Sequence, residues 1–288
     1  MPGTTPSPVA IAGWLALALV VLGIFLTVRT RRHRRERRMD LAGKGLTLRE
    51  RVILEKALPW TRELPKDLLA RLGGVMRVFL DEKSFEACGG LEEVTEEMRL
   101  VIAAQACLLI VNHPGEYFHG LHSILVYPTA FIAPANESLA DSVEVVEMEE
   151  RLGESSEEGT VVLAWDSVLR GGYNHEDGLN VVMHEFAHQL DQENGPADGA
   201  PILRHAAEYQ SWNRVFHAAY GRHVEATASE EETVLDDYGA EHPAEFFAVA
   251  TETFFERPHA LAHEYAELYA SLMAYYQLDP RTWKTKRP

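Results

Sequence analysis

The pattern of apolar and polar positions divides the chain early. Positions 9–28, VAIAGWLALALVVLGIFLTV, carry no charged side chain. A helix of about 20 apolar residues crosses roughly 30 Å of hydrocarbon and satisfies its own backbone there. The run therefore predicts one transmembrane helix. From residue 40 onward the pattern becomes amphipathic. Thr47–Leu58 (TLRERVILEKAL) has helical spacing behind a Thr cap, and a second helical stretch follows Pro59 and Pro65 toward Leu80. Thr95–Val111 starts with a Thr cap and becomes apolar nearly all round, which predicts a buried helix. Cys107 falls in that half and reads as a packed, inert thiol. Ser123–Tyr127 (SILVY) and Thr160–Trp165 (TVVLAW) read as strands. Helices are predicted again over Asn180–Asp191, His205–Tyr220, Pro243–Phe255 and Ala260–Gln277, with a loop at Pro196–Pro201. Few strands among many helices give an α+β class with a helical majority. There is no internal repeat and no long linker. The expected organisation is an anchor over 1–28, a basic juxtamembrane segment over 29–39 and one domain over 40–288.

Charge gives the anchor a direction. Residues 29–38 carry seven Arg and one Glu, and no Lys or Arg precedes them. Basic residues collect on the cytoplasmic side of a span. The expectation is thus a single-pass protein of the inner (cytoplasmic) membrane with its domain in the cytoplasm. A cleaved secretory signal would carry its basic residues before the apolar run, the reverse of this order. The cluster can also sit on anionic headgroups. Of the 288 residues and the net charge of −17, residues 40–288 hold −23, that is −17 less the +6 of 29–38. So acidic a body excludes nucleic acid as a partner, because phosphate binding needs a basic surface. Two cysteines, Cys88 and Cys107, cannot make a disulfide framework.

The chemistry sits in VVMHEFAHQLD, residues 181–191. His184, Glu185 and His188 form H-E-x-x-H. Residues four apart on a helix share a face, so both imidazoles can meet one metal ion. Glu185 beside them can act as a general base without ligating, and zinc brings the pKa of a water near 7. A catalytic zinc has three protein ligands and one open position. A metzincin-type third histidine is excluded, since positions 194 and 195 are Asn and Gly. A glutamate from a later helix is the alternative. Pro243 opens such a helix, with Glu245 in its first turn and Glu252 seven residues on. Glu245 is the preferred ligand, with Glu252 supporting; the spacing leaves the reverse open. Tyr238, seven residues before Glu245, reads either as an oxyanion donor or as packing. Asp191 either orients a neighbouring group or begins the exit from the helix.

His113, His119 and His122 lie close together, but their spacing fits no helix face, so they read as exposed or packed loop residues in preference to a second metal site; His175, His205, His217, His223, His242, His259 and His263 read as exposed or packing residues likewise. The acidic stretches Glu144–Glu158 and Glu230–Asp237 read as solvated surface, without the ligand spacing of a calcium loop.

Several blocks together resemble the Mlc titration factor A-like (MtfA) zinc metallopeptidases. They are Glu97-Met98-Arg99 with IAAQACLL at 102–109, VYPTAF at 126–131, VVLAWDSVLRG at 161–171, DGLNVVMHEFAHQLD at 177–191, ADGAP at 197–201 and YGAEHPAEFFAVATETFF at 238–255. The resemblance covers most of residues 45–280. It implies a zincin-like (gluzincin) domain, similar to the catalytic domain of anthrax lethal factor. It also implies one Zn2+ on His184, His188 and Glu245, with Glu185 as base and Tyr238 assisting. The implied activity is peptide hydrolysis, aminopeptidase-like. The family's namesake role, binding a transcriptional repressor, implies a second reading as a regulatory binding protein that sequesters a partner. A third reading is a metal hydrolase acting on other bonds. The spanning helix departs from the soluble members of that family.

Overall fold

The computed structural model describes residues 8–113, 115, 117–129, 159–195 and 197–284, and excludes the side chains of 8–16 and 18. Among the described residues there are ten α-helices and three strands. In chain order these are α1 (Pro8–Ala42), α2 (Leu48–Ala57), α3 (Lys66–Glu82), β1 (Ser84–Ala87), α4 (Glu96–Ile110), β2 (Ser123–Tyr127), β3 (Thr160–Ala164), α5 (Trp165–Tyr173), α6 (Val181–Asp191), α7 (Ala206–Ala228), α8 (Pro243–Glu256), α9 (Pro258–Glu264) and α10 (Ala266–Tyr276). The class is α+β and mostly helical, with one small sheet in the order β1-β2-β3, parallel throughout.

Local chemistry sets the helix starts. Thr47 caps α2 in a reciprocal box with Glu50, and Thr95 accepts from the Met98 amide to open α4. The apolar half of α4, from Leu100 to Ile110, is buried on every face. It packs against α2, α3, α5 and α6 and forms the centre of the core. Cys107 is fully buried there, and burial pushes its thiol up, as an inert packed thiol requires. Phe186 joins α6 to this core, with ring centroids 5.7 Å from Phe79 and 4.8 Å from Phe118.

Several expectations are corrected. Trp165 opens α5 instead of closing β3, and α5 itself was not foreseen in the pattern. β1 also escapes the pattern, since only Phe85 of its four residues is buried. The predicted C-terminal helix divides at Tyr265 into α9 and α10. Residues 29–39 are helical, as α1 runs through them to Ala42. Among the described residues, no helix is long and apolar enough to cross a membrane. The expected span begins at residues 9–16, whose side chains lie outside the described set, as does the acidic stretch 144–158. From Leu17 to Val28 the large apolar side chains of α1 are exposed. Beyond them α1 joins the fold. A Cβ on Gly74 of α3 would lie 2.5 Å from the Ala42 carbonyl oxygen, so the glycine permits this close crossing.

Candidate metal centre and active-site cleft

The motif helix α6 starts at Asn180, whose side chain accepts from the Met183 amide at 3.0 Å. Both motif histidines then face α8. His184 Nε2 lies 3.0 Å from Glu245 Oε2, His188 Nε2 lies 3.1 Å from the same oxygen, and the two Nε2 atoms are 3.2 Å apart. These three residues are the group of potential metal ligands found among the described residues. Two imidazole nitrogens aimed at each other cannot both carry protons there. A set of two imidazoles and one carboxylate converging on a point fits a divalent ion, zinc above all.

Glu245 reaches this point because α8 begins just two residues earlier, which puts it in the first turn. His242 caps it by accepting from the Ala244 amide at 3.2 Å, and Pro243 is its first residue. Burial opposes the charge of Glu245, but hydrogen bonds from His184 and His188 hold its carboxyl at about 2.

Glu252 is buried one heptad on and takes a different place. One of its oxygens accepts from His184 Nδ1 at 2.8 Å, and the other accepts from the Asn180 amide. It thereby fixes the imidazole with Nε2 toward Glu245. Burial pushes the Glu252 carboxyl up. For His184, burial opposes the charged form, yet Glu245 and Glu252 together raise it well above its ordinary value.

Behind Glu252 lies a polar layer that the pattern gave no sign of. Asn180 Nδ2 donates to Gln105 at 2.9 Å and to Glu256 at 3.0 Å, and Glu256 accepts from the Gly178 amide at 3.1 Å. Gln105 comes from the helix half that read as apolar, and Glu256 lies one residue past the predicted end of the helix that carries Glu245 and Glu252. Asn180 alone carried a signal, as a capping residue directly before the motif helix.

Glu185 is 6 % exposed and makes no hydrogen bond among the described residues. Burial pushes its carboxyl up. It lines a cleft of about 310 Å³ together with His184, Tyr238, Arg170, Asp177 and Asp236. Tyr238 lies in a 3₁₀ turn, Asp237–Ala240, with its ring centroid 5.9 Å from that of His184. Asp236, in a stretch read as solvated surface, caps this turn by accepting from the Tyr238 amide at 3.0 Å. His223, fully buried, lies 3.0 Å from the Asp236 carbonyl oxygen. It packs where the pattern expected, and it braces the turn that carries Tyr238.

Asp191 is fully buried and accepts from the Gly199 and Ala200 amides at 2.8 and 2.9 Å. Burial pushes its carboxyl to about 6. Gly199 in turn abuts the Pro243 carbonyl, which a Cβ would approach to 2.6 Å. Asp191 therefore links the end of α6 to the start of α8, and does not merely leave the helix.

A family model described as glucose-regulated metallo-peptidase M90 matches residues 30–277. The chain belongs to this metallopeptidase family. Mlc titration factor A of Klebsiella pneumoniae is 31 % identical over 236 residues, covering 77 % of this chain and 87 % of the relative. Mlc titration factor A of Escherichia coli O7:K1 is 30 % identical over 239 residues, covering 78 % and 88 %. The uncharacterized protein slr2042 of Synechocystis sp. is 39 % identical over 231 residues, covering 79 % and 83 %. The expected resemblance to the Mlc titration factor A family is thus established. Membership in a metallopeptidase family implies a metal ion, and His184, His188 and Glu245 are the residues arranged to hold it.

Proposed function

We propose that the chain is a zinc-dependent peptidase, held at the inner membrane by α1 with its domain in the cytoplasm. The convergence of His184 Nε2, His188 Nε2 and Glu245 Oε2, beside a carboxylate that is free at a cleft, carries the peptidase reading. Zinc, when bound, supplies Lewis acidity toward a carbonyl and an attacking water. The side chains do the rest. Glu252 holds the His184 ring in one orientation. Glu185 takes the proton of the attacking water and passes it to the leaving nitrogen. Tyr238 donates its hydroxyl to the carbonyl oxygen as charge develops there.

We further propose action at the amino terminus of a peptide. Asp177 and Asp236 line the cleft and offer carboxylates to an α-ammonium group. The anchor reading is supported by α1 itself. Leu19, Val20, Val21, Leu22, Ile24, Phe25 and Leu26 run round the helix and are all exposed. The Thr27 hydroxyl donates to the Gly23 carbonyl at 2.8 Å, so this side chain is satisfied within the helix.

A fluorogenic peptide assay tests the chemistry. Wild-type protein should hydrolyse a peptide with a free amino terminus, lose activity with a chelator and regain it with Zn2+. Acetylating the peptide terminus should abolish cleavage. Glu185→Gln should keep about one zinc per chain and lose turnover, whereas His184→Ala should lose both. Equal turnover in Glu185→Gln and wild type would refute the base assignment. The name of the relatives, Mlc titration factor A, supports a second reading in which a protein partner is bound. A partner captured equally by wild type and Glu185→Gln would favour it.

A further inference from the structure

The arginines after the apolar run do not form one uniform collar. Arg34 and Arg38 pair with Glu82 at 2.9 and 2.7 Å, and Arg37 pairs with Asp81. The Arg38 guanidinium also sits 4.4 Å from the Tyr117 ring centroid and donates to the Gly115 carbonyl at 3.4 Å. Among the described residues, Arg32 pairs with Glu36 on its own helix. Arg29, Arg31 and Arg35 are exposed and have no carboxylate partner among the described residues. Helical geometry explains the division. At about 100° per residue, Arg34, Arg37 and Arg38 fall within one arc of about 100°, the one facing α3. Arg29 and Arg35 fall outside that arc. Arg31 shares the direction of Arg38 but lies about 10 Å nearer the apolar run, beyond the end of α3.

We propose that Arg29, Arg31 and Arg35, spread round α1 just past its apolar run, form a belt that binds acidic phospholipid headgroups, while Arg34, Arg37 and Arg38 fix the same helix to the domain. The inference rests on the anchor reading above. Arg29 directly follows Val28, and Arg35 lies about 10 Å beyond it along the axis, within side-chain reach of a headgroup layer. The domain's own charge of −23 repels an anionic surface, so a cationic belt at this depth is the element that lets it approach one. Phospholipid is the occupant because the belt adjoins the exposed apolar residues Leu17 to Val28 of the same helix. Each arginine near an anionic membrane strengthens association roughly fivefold.

Native mass spectrometry of the full chain, released from nanodiscs of phosphatidylcholine and phosphatidylglycerol, counts the lipids retained. Wild type should retain phosphatidylglycerol about tenfold over phosphatidylcholine. R29Q/R31Q/R35Q should lose that preference. R34Q/R37Q/R38Q should keep it but show faster amide exchange over residues 36–46. Equal retention of both lipids by wild type overturns the proposal, as does a preference that survives R29Q/R31Q/R35Q. Displacement of the lipid by 10 mM inorganic phosphate also overturns it, by showing a site for the free anion. Release of the chain from membranes by alkaline carbonate refutes the anchor instead. The headgroup belt is then decided by cosedimentation with phosphatidylglycerol vesicles, in which only loss of binding in R29Q/R31Q/R35Q supports it.

Discussion

Glu245 and Glu252 stand on one face of α8 and approach the same imidazole from opposite sides. Glu245 meets Nε2 and Glu252 meets Nδ1. Their losses should therefore differ in kind. Glu245→Ala removes a ligand and should abolish tight zinc binding. Glu252→Gln leaves the ligand set intact but replaces the acceptor for Nδ1–H, and a partner of this type is worth about 10–100-fold in metal affinity. Competition with a chromophoric chelator measures both. A larger loss in Glu252→Gln than in Glu245→Ala would exchange their roles. Tyr238→Phe should leave zinc affinity unchanged and lower kcat about 10²–10³-fold, as removal of an oxyanion donor does; a change below twofold in steady-state kinetics would leave the tyrosine as packing. At this scale much was legible. The four-residue spacing of His184 and His188 holds on any α-helix, and Pro243 marked a start that puts Glu245 in a first turn. The network of Gln105, Asn180 and Glu256 was not legible. It depends on which helices meet, and helical periodicity reports only that a face is buried.

Among the elements, the crossing of α1 over α3 ties the amino-terminal helix to the fold. Gly74 admits the Ala42 carbonyl, and Arg34 and Arg38 clamp Glu82. Gly74→Ala should gain up to about 1 kcal/mol of helix propensity and lose about 1–3 kcal/mol to overpacking. A lower Tm in thermal unfolding is the expected result, and a higher one would mean that α1 does not cross there. The clamp also gives a pH dependence. Burial disfavours the charge of Glu82, but Arg38 and Arg34 outweigh it and hold the carboxyl at about 2, below its ordinary 4.5. A carboxylate held low in the folded state contributes stability that is fully present above about 4.5 and is lost as pH falls toward 2. Urea unfolding of wild type should therefore weaken more steeply over that window than unfolding of Glu82→Gln; parallel curves would show that the pairs do not form. The arginines themselves were obvious in the sequence. Their division was not, because Asp81 and Glu82 lie more than forty residues away. β1 was hidden for a related reason, since it is held by its parallel pairing to β2 and buries only Phe85.

For the whole molecule, the strongest constraint is the direction of the chain relative to a membrane. A helix that leaves an apolar run and enters an acidic domain without a break makes the orientation of one depend on the other. Under the proposed anchor, seven arginines after the run and none between Met1 and Val28 favour a cytoplasmic domain. The domain needs no disulfide, because Cys107 is sealed in α4 and Cys88 stands apart from it, so a reducing compartment suits it. Fusing alkaline phosphatase, which is active only outside the cytoplasm, to the carboxyl end should give an inactive fusion, and a cytoplasm-active fluorescent reporter there should fold and fluoresce. Moving the charge to the other side is the sharper experiment. Replacing Arg29, Arg31 and Arg35 by Gln and adding three Lys before residue 8 should shift part of the population toward the opposite topology, because those changes reduce the bias without disturbing the clamp of Arg34, Arg37 and Arg38. Phosphatase activity that is already high in the unaltered chain would place the domain outside the cytoplasm and overturn the orientation. Activity that stays absent in both, together with release of both chains from membranes by alkaline carbonate, would show that residues 8–28 do not insert, leaving the exposed apolar surface of α1 to be covered by something other than lipid.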